Sequence, residues 1–313
     1  MRGRLLNGVR VVIGVLVVVA IIVALQRNWS DVSRELSTLS GGSVAGAFAL
    51  ALASPILTLF GWRALLVDLG VRLALPASAS VFFVGQLGKY LPGSVWSVAI
   101  QSDMGGRLGV PRRTLGIAGL LNLALAVLTA ALVGLPALPL LVRRSGEDVS
   151  LIWFAVPVLL LVVLLWPPLL NRLISRGLRL LRRDPLPRAL SGAAIVACVG
   201  WFVLAWLSMA AAVWVLAADL APGASVRDLA LTTLSGYCLA AGLGMLSVIV
   251  PAGVGVRDGL LVLLLVGLMP LGAATAIVVV HRFLSVVVDI LLAGGAFLWG
   301  RSHRLIGSAD VTA

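Results

Sequence analysis

Charge is what this sequence has least of. Only 12% of its 313 residues are Asp, Glu, Lys or Arg, against the roughly 25% found in soluble globular domains. That excludes a water-facing surface over most of the chain. Cysteine is nearly absent: Cys198 and Cys238 are too few for a disulfide framework or a cysteine metal site and read as packing residues. Histidine is limited to His281 and His303. No His/Cys cluster, G-x-S-x-G elbow or Walker phosphate loop occurs, so neither metal nor nucleophilic catalysis is indicated and no cofactor is expected. No polar stretch is long enough for a soluble domain.

Apolar sequence takes up the space. Hydrophobic residues make up 61% of the chain and the mean hydropathy is +1.13. Runs at 9–25, 43–61, 114–139, 150–168, 191–217 and 272–299 each approach or exceed the ~20 residues that cross a ~30 Å hydrocarbon core. The sequence therefore predicts an all-α polytopic membrane protein with six full transmembrane helices. Apolar sequence is left over at 79–100 and 229–269. The first run has a basic flank like a signal peptide, but no small-residue cleavage site follows it, so a retained helix is expected.

A formal charge of +12 would suit a nucleic-acid binder, yet its placement does not. With a cytoplasmic N-terminus, sixteen Arg fall in inside segments and five in outside loops, the bias that sets membrane topology. The expectation is a multi-pass protein of the cell membrane, both termini cytoplasmic, with no nucleic-acid partner. Lys89, Arg257 and Arg282 fit neither class, because they lie in apolar surroundings.

The chain reads as one membrane domain, 1–313. An anchor helix and outer amphipathic segment occupy 1–40, and a first half spans 41–170 with a broken segment at 79–113. A basic connector at 171–188, which an ordinary positive-inside loop or a lipid-surface segment would both explain, leads to a second half. That half spans 189–300 with a broken segment at 229–270, and a tail occupies 301–313. GQLGKYLPG (85–93) and AGLGMLSVIVPAG (241–253) both place a Pro/Gly break after a Gly-spaced apolar run. If the first dips in from the cytoplasm and the second from outside, the halves form an inverted repeat with two re-entrant segments. Paired interruptions of this kind point to a transporter's central site.

Pro251 stops a helix, Gly253 and Gly255 open unusual backbone angles, and a fresh helix is expected near Val256 with Arg257 and Asp258 in its first turn. In the other break, Lys89 precedes Pro92-Gly93-Ser94, with Ser94 a candidate N-cap. On the last span Arg282 and Asp289 lie two turns apart on one face. Ionisable groups at this depth cost roughly 2.5–3.5 kcal/mol each. Two readings stand: structural pairs that lock helices, or a convergence of Lys89, Arg257 and Arg282 on an anionic headgroup, with Asp258 and Asp289 orienting the guanidinium groups. Asp103 and Arg107 read as a helix-supporting pair, Gln101, Asn122 and Tyr237 as helix-to-helix hydrogen-bonding groups, and Trp29, Trp62, Trp153, Trp166 and Trp299 as interfacial anchors.

LPGSVW (91–96), QSDMGGRLGV (101–110), VPAGVGVRDG (250–259) and HRFLSVVVDI (281–290) together resemble the lysylphosphatidylglycerol synthase transmembrane-region family of flippase-like proteins. The resemblance covers roughly 10–300, and P-x-G-x-G-x-R-D-G at 251–259 is its most specific block. It implies a polytopic membrane protein whose relatives move an aminoacylated phospholipid between leaflets or act beside lipid-linked glycan synthesis. The soluble aminoacyl-transfer domain of larger relatives is not expected here. The expected partner is therefore a membrane lipid or lipid-linked saccharide, with a separate glycosyltransferase as a further candidate. An alternative is a membrane glycosyltransferase using a lipid-phosphate donor, for which Asp31 and Glu35 would be the acidic pair.

Overall fold

The structure is a computed structural model that describes residues 29–91, 95–138, 152–180, 186, 188–246 and 255–302. The expected first span at 9–25 and the tail beyond 302 lie outside the described residues, as do Pro92, Gly93, Ser94, Pro251 and Gly253. Every regular element among the described residues is helical: α1 (Trp29–Thr38), α2 (Gly41–Asp68), α3 (Leu75–Gln86), α4 (Trp96–Arg107), α5 (Arg112–Gly134), α6 (Ile152–Leu164), α7 (Pro167–Leu180), α8 (Gly192–Leu220), α9 (Val226–Leu246), α10 (Val256–Leu265) and α11 (Leu271–Ser302). Short 3-10 turns at Leu87–Tyr90 and Leu135–Ala137 extend α3 and α5.

Five of these helices are long and apolar enough to cross a membrane: α2, α5 with its extension, α8, α9 and α11. Four coincide with expected spans. The run at 150–168 behaves differently. Its helix α6 has 13 residues, which at 1.5 Å each reach only about 20 Å, and the chain bends by 71° into α7. Pro167 and Pro168 open α7, where the missing N–H groups cost nothing. Much of the expected basic connector is thus a second helix, with Arg172, Arg176 and Arg179 on it.

The 229–270 segment also departs from expectation. Gly236, and Gly242 and Gly244 of the Gly-spaced run ahead of the expected break, stay inside the 21-residue α9. They are there for close packing, against Leu264, Ala130 and Arg257 respectively. The first broken segment is two 12-residue helices, α3 and α4. The second is a span-length helix followed by the ten-residue α10.

The centre of the molecule is the antiparallel pair α2 and α8. Ser40 caps α2 by accepting from the Ser43 N–H at 3.0 Å, and its own N–H donates to Asp219 near the end of α8 at 2.9 Å. Ser191 caps α8 by accepting from the Ala194 N–H at 3.1 Å, and its N–H donates to Asp68 at the end of α2 at 2.7 Å. Each helix is therefore capped by its own serine and held at that end by the other helix's last-turn carboxylate. The stretch of chain from Ser40 to Asp68 equals that from Ser191 to Asp219. All eight buried positions of α2, Ala47 through Leu66, fall in that register on buried positions of α8, Cys198 through Ala217.

The neighbours follow the same exchange. α3 packs on α11 as α9 packs on α5, α3 on α4 as α9 on α10, and α4 on α5 as α10 on α11. Two apolar cores result. One gathers Trp62, Phe82, Leu115 and Leu125 around the Asp68 end of α2; the other gathers Leu216, Leu261, Leu265 and Ile277 around the Asp219 end of α8. Ser80 Oγ donates to the Ala296 carbonyl at 3.0 Å, Ser208 Oγ to Leu50 at 2.7 Å and Trp206 Nε1 to Ala126 at 3.1 Å, bonds that suit a medium without water. Leu159, Leu204, Leu263, Phe283 and Leu298 are each at least half exposed, a surface matched to hydrocarbon. Trp62 is fully buried against Phe82. It is a core residue, not an interfacial anchor, while Trp166 and Trp299 are exposed.

Candidate functional site

The Leu87–Tyr90 turn, α4 and α5 from one side, and α9, α10 and α11 from the other, enclose a cavity of about 290 Å³ with α2 and α8 along its wall. Gly255 makes the approach of α10 possible: its φ of +87° is a conformation that L side chains avoid. It starts α10 without a side-chain cap. The first-turn N–H groups at its start carry partial positive charge.

Of the predicted site residues described, Lys89, Arg257, Arg282 and Asp289 line this one cavity. Asp258 adjoins it through its bonds to the two arginines. Arg257 Nε donates to Asp258 Oδ1 at 3.0 Å. Nη2 of the same guanidinium lies 2.9 Å from that oxygen but off the line of a hydrogen bond, and it is buried with no other partner. Arg282 Nη1 stands 3.9 Å from Asp258 Oδ2. One carboxylate thus serves two guanidinium groups.

Asp289 does not pair with Arg282, as their common helix face suggested. It reaches across to the other half, where Lys89 Nζ stands 2.7 Å and the Tyr90 hydroxyl 2.6 Å from its Oδ2. Three elements supply cations for two acids, and Lys89, half-buried on the Leu87–Tyr90 turn, takes the one on the facing helix. Lys89 is the only lysine in the chain.

Sequence reasoning missed Tyr90, although it stands next to Lys89 in GQLGKYLPG. It also assigned Gln101, Asn122 and Tyr237 to helix-to-helix bonding, whereas all three line the cavity. Asn122 Oδ1 is buried without a partner. His281 Nε2 is likewise unpartnered, its ring edge-on to Tyr237 at 5.1 Å. Unpaired buried polar atoms are costly, and two of them, Asn122 Oδ1 and Arg257 Nη2, belong to residues that line the cavity, whereas His281 does not line it. Asp103 bonds Arg107 at 2.9 Å and Arg112 at 2.8 Å, a helix-supporting role. Cys198 and Cys238 are buried and free. Glu35 sits on α1, which packs on α11 and α8, and is not among the described residues that line the cavity. Among the described residues there is no His/Cys/Asp/Glu group able to hold a metal.

Cations of both halves and a dipole-bearing helix start can hold an anion by several short bonds at once. No curated protein matches the chain. The family model described as "lysylphosphatidylglycerol synthase TM region" matches residues 11–293, so nearly the whole chain belongs to that family, a membrane domain that is often flippase-like.

Proposed function

We propose that this multi-pass membrane protein is a flippase-like transporter, moving an anionic phospholipid or a polyprenyl-phosphate-linked saccharide between leaflets of the cell membrane. The observation that carries this reading is the placement of Lys89, Arg257 and Arg282 on the wall of one cavity built from both halves. A volume of about 290 Å³ is at the small end of ligand pockets. It holds a headgroup and leaves the tails outside among the helices, where lipid already lies.

The exchange relation described for the packing supports an inverted repeat, and the arginine bias of the sequence favours cytoplasmic termini. In it, α3 with α4, and the end of α9 with α10, form the broken elements that meet from opposite faces. Rocking one half against the other around a central site is how such repeats alternate access. The Lys89–Asp289 contact ties the halves together. An anionic headgroup competes with Asp289 for Lys89, so substrate binding loosens the tie as it forms the complex.

Reconstitution tests the reading. Purified protein in liposomes should move fluorescent anionic lipids faster than empty vesicles do, and Arg257→Ala and Arg282→Ala should each lose most of that rate. Removing one group from a charged hydrogen-bonded contact costs on the order of 2–5 kcal/mol, a loss of tenfold or far more. Equal rates for wild type, both variants and empty vesicles would sink the proposal.

A further inference from the structure

The cavity's charge can be read residue by residue. Its described cations are Lys89, Arg257 and Arg282, and its carboxylates are Asp258 and Asp289. The other groups facing it are neutral: Ser54 and Thr58 on α2, Ser97 and Gln101 on α4, Asn122 on α5, Trp206 on α8, Tyr237 on α9 and Ser285 on α11. Tyr90 is a hydroxyl donor to Asp289. His281 is not among the residues that line the cavity. The breaks at 92–94 and 247–254 contain no ionisable residue. One positive charge is left over.

In a medium of low dielectric, a net charge is far more costly than a matched pair. A ligand of charge minus one brings the cavity to neutrality; a dianion carries it past neutrality, and a zwitterion leaves it cationic. Resting on the transporter reading above, we infer that the site selects headgroups bearing a single negative charge. In phosphate chemistry that means a phosphodiester, in preference to a phosphomonoester, a pyrophosphate or a zwitterionic headgroup. Arg257 and Arg282, the two guanidinium groups that line the cavity, are the donors for the diester's free oxygens. The same rule admits phosphatidylglycerol and a sugar joined to a polyprenol through one phosphate, and rejects the bare polyprenyl phosphate.

The test uses the full chain in phosphatidylcholine liposomes, with fluorescent phosphatidylglycerol, phosphatidic acid and phosphatidylethanolamine of identical acyl chains. Each is followed by chemical quenching of the outer leaflet. At a pH of about 8, phosphatidic acid is largely dianionic, since a phosphomonoester's second pKa is near 6. Phosphatidylglycerol should then move on the order of a hundredfold faster than either other lipid, the factor that one uncompensated charge costs at this depth. At a pH of about 5, where the monoester keeps its second proton, the rate for phosphatidic acid relative to phosphatidylglycerol should rise towards parity.

Asp258→Asn, which adds one positive charge, should shift preference towards phosphatidic acid. Arg282→Gln, which removes one, should shift it towards phosphatidylethanolamine. The wild-type lipid series needs neither variant to fold. Phosphatidic acid moving as fast as phosphatidylglycerol at a pH of about 8, or all three moving alike, overturns the charge rule and leaves the transporter reading intact. No movement of any lipid above empty vesicles overturns both.

Discussion

The two halves of the molecule share a frame but not a chemistry. Where the second half has Arg257, Asp258, Arg282 and Asp289, the packing register places Ser97, Val98, Leu123 and Ala130 in the first. The registers are otherwise close: Gln101 matches Leu261, Gly105 matches Leu265, and Thr114, Leu115 and Ala118 match Ala273, Ala274 and Ile277, every one of them buried. The first half packs α4 on α5 with no ion pair at these positions. α4 and α5 are joined instead by an exposed ion pair, Asp103 to Arg112 at 2.8 Å, so locking these helices does not require charges at the positions of Arg257, Asp258 and Arg282. That weighs against the structural-pair reading of Arg257, Asp258 and Arg282, and for a role towards a ligand.

Moving one half's chemistry onto the other is the sharpest way to break the comparison. Asp258→Ala alone leaves two guanidinium groups without their carboxylate, and losing one partner of a buried pair costs about 3–5 kcal/mol. A melt in detergent should show it as the largest drop of any single variant discussed. The triple variant Arg257→Ser, Asp258→Val, Arg282→Leu installs the first half's residues and removes charge together with counter-charge. Such replacements are often neutral or stabilising by about 1–4 kcal/mol. The triple variant should melt at or above wild type while transporting nothing. If it melts as low as Asp258→Ala, the charges are structural after all.

A smaller effect separates the two seams. Gly134 on α5 faces the backbone of α9 so closely that an added Cβ would sit 2.5 Å from the Leu239 nitrogen. Its counterpart on α11 is Ala293, buried with its Cβ already in place. Gly134→Ala should therefore destabilise by about 1–3 kcal/mol through overpacking, despite alanine's better helix propensity. Ala293→Gly should lose only about 1 kcal/mol, mostly the propensity difference. An unchanged melting temperature for Gly134→Ala would mean that the α5–α9 seam is no tighter than the other.

Much of this frame is legible in the sequence, because its causes are local. Runs of apolar residues declare α2, α5, α8 and α11, and the Gly255-Val256 start of α10 follows from glycine and proline chemistry. The length of α9 was obscured because glycine means two things: a break in water, and close packing in lipid, as at Gly242 against Ala130. The site's membership was legible from charges stranded in apolar sequence. Its pairing was not, since Arg282 and Asp289 share a face while the shorter contact comes from Lys89, far away in the chain. Neutral members such as Asn122 and Gln101 carry no signal in an apolar run until the helices are assembled.

The smallest effect tests whether the frame is as even as its packing. Asp68 and Asp219 make matching contacts, to Ser191 and Ser40, but Asp68 receives both the N–H and the hydroxyl of its serine at 2.7 Å each and is half-buried. Asp219 is exposed. Loss of a capping contact costs about 0.5–2 kcal/mol, and water compensates more fully at the exposed site. Asp68→Ala should thus cost about 1–2 kcal/mol and Asp219→Ala about half of that. The two sites lie a helix length apart, about 40 Å for the 28 residues of α2, and share no partner, so the double variant should equal the two losses combined within about 0.5 kcal/mol. A double variant far worse than that would mean that the two ends of the α2–α8 pair respond as one unit. In that case the exchange relation is a mechanical coupling through the central helices, and not only a resemblance between them.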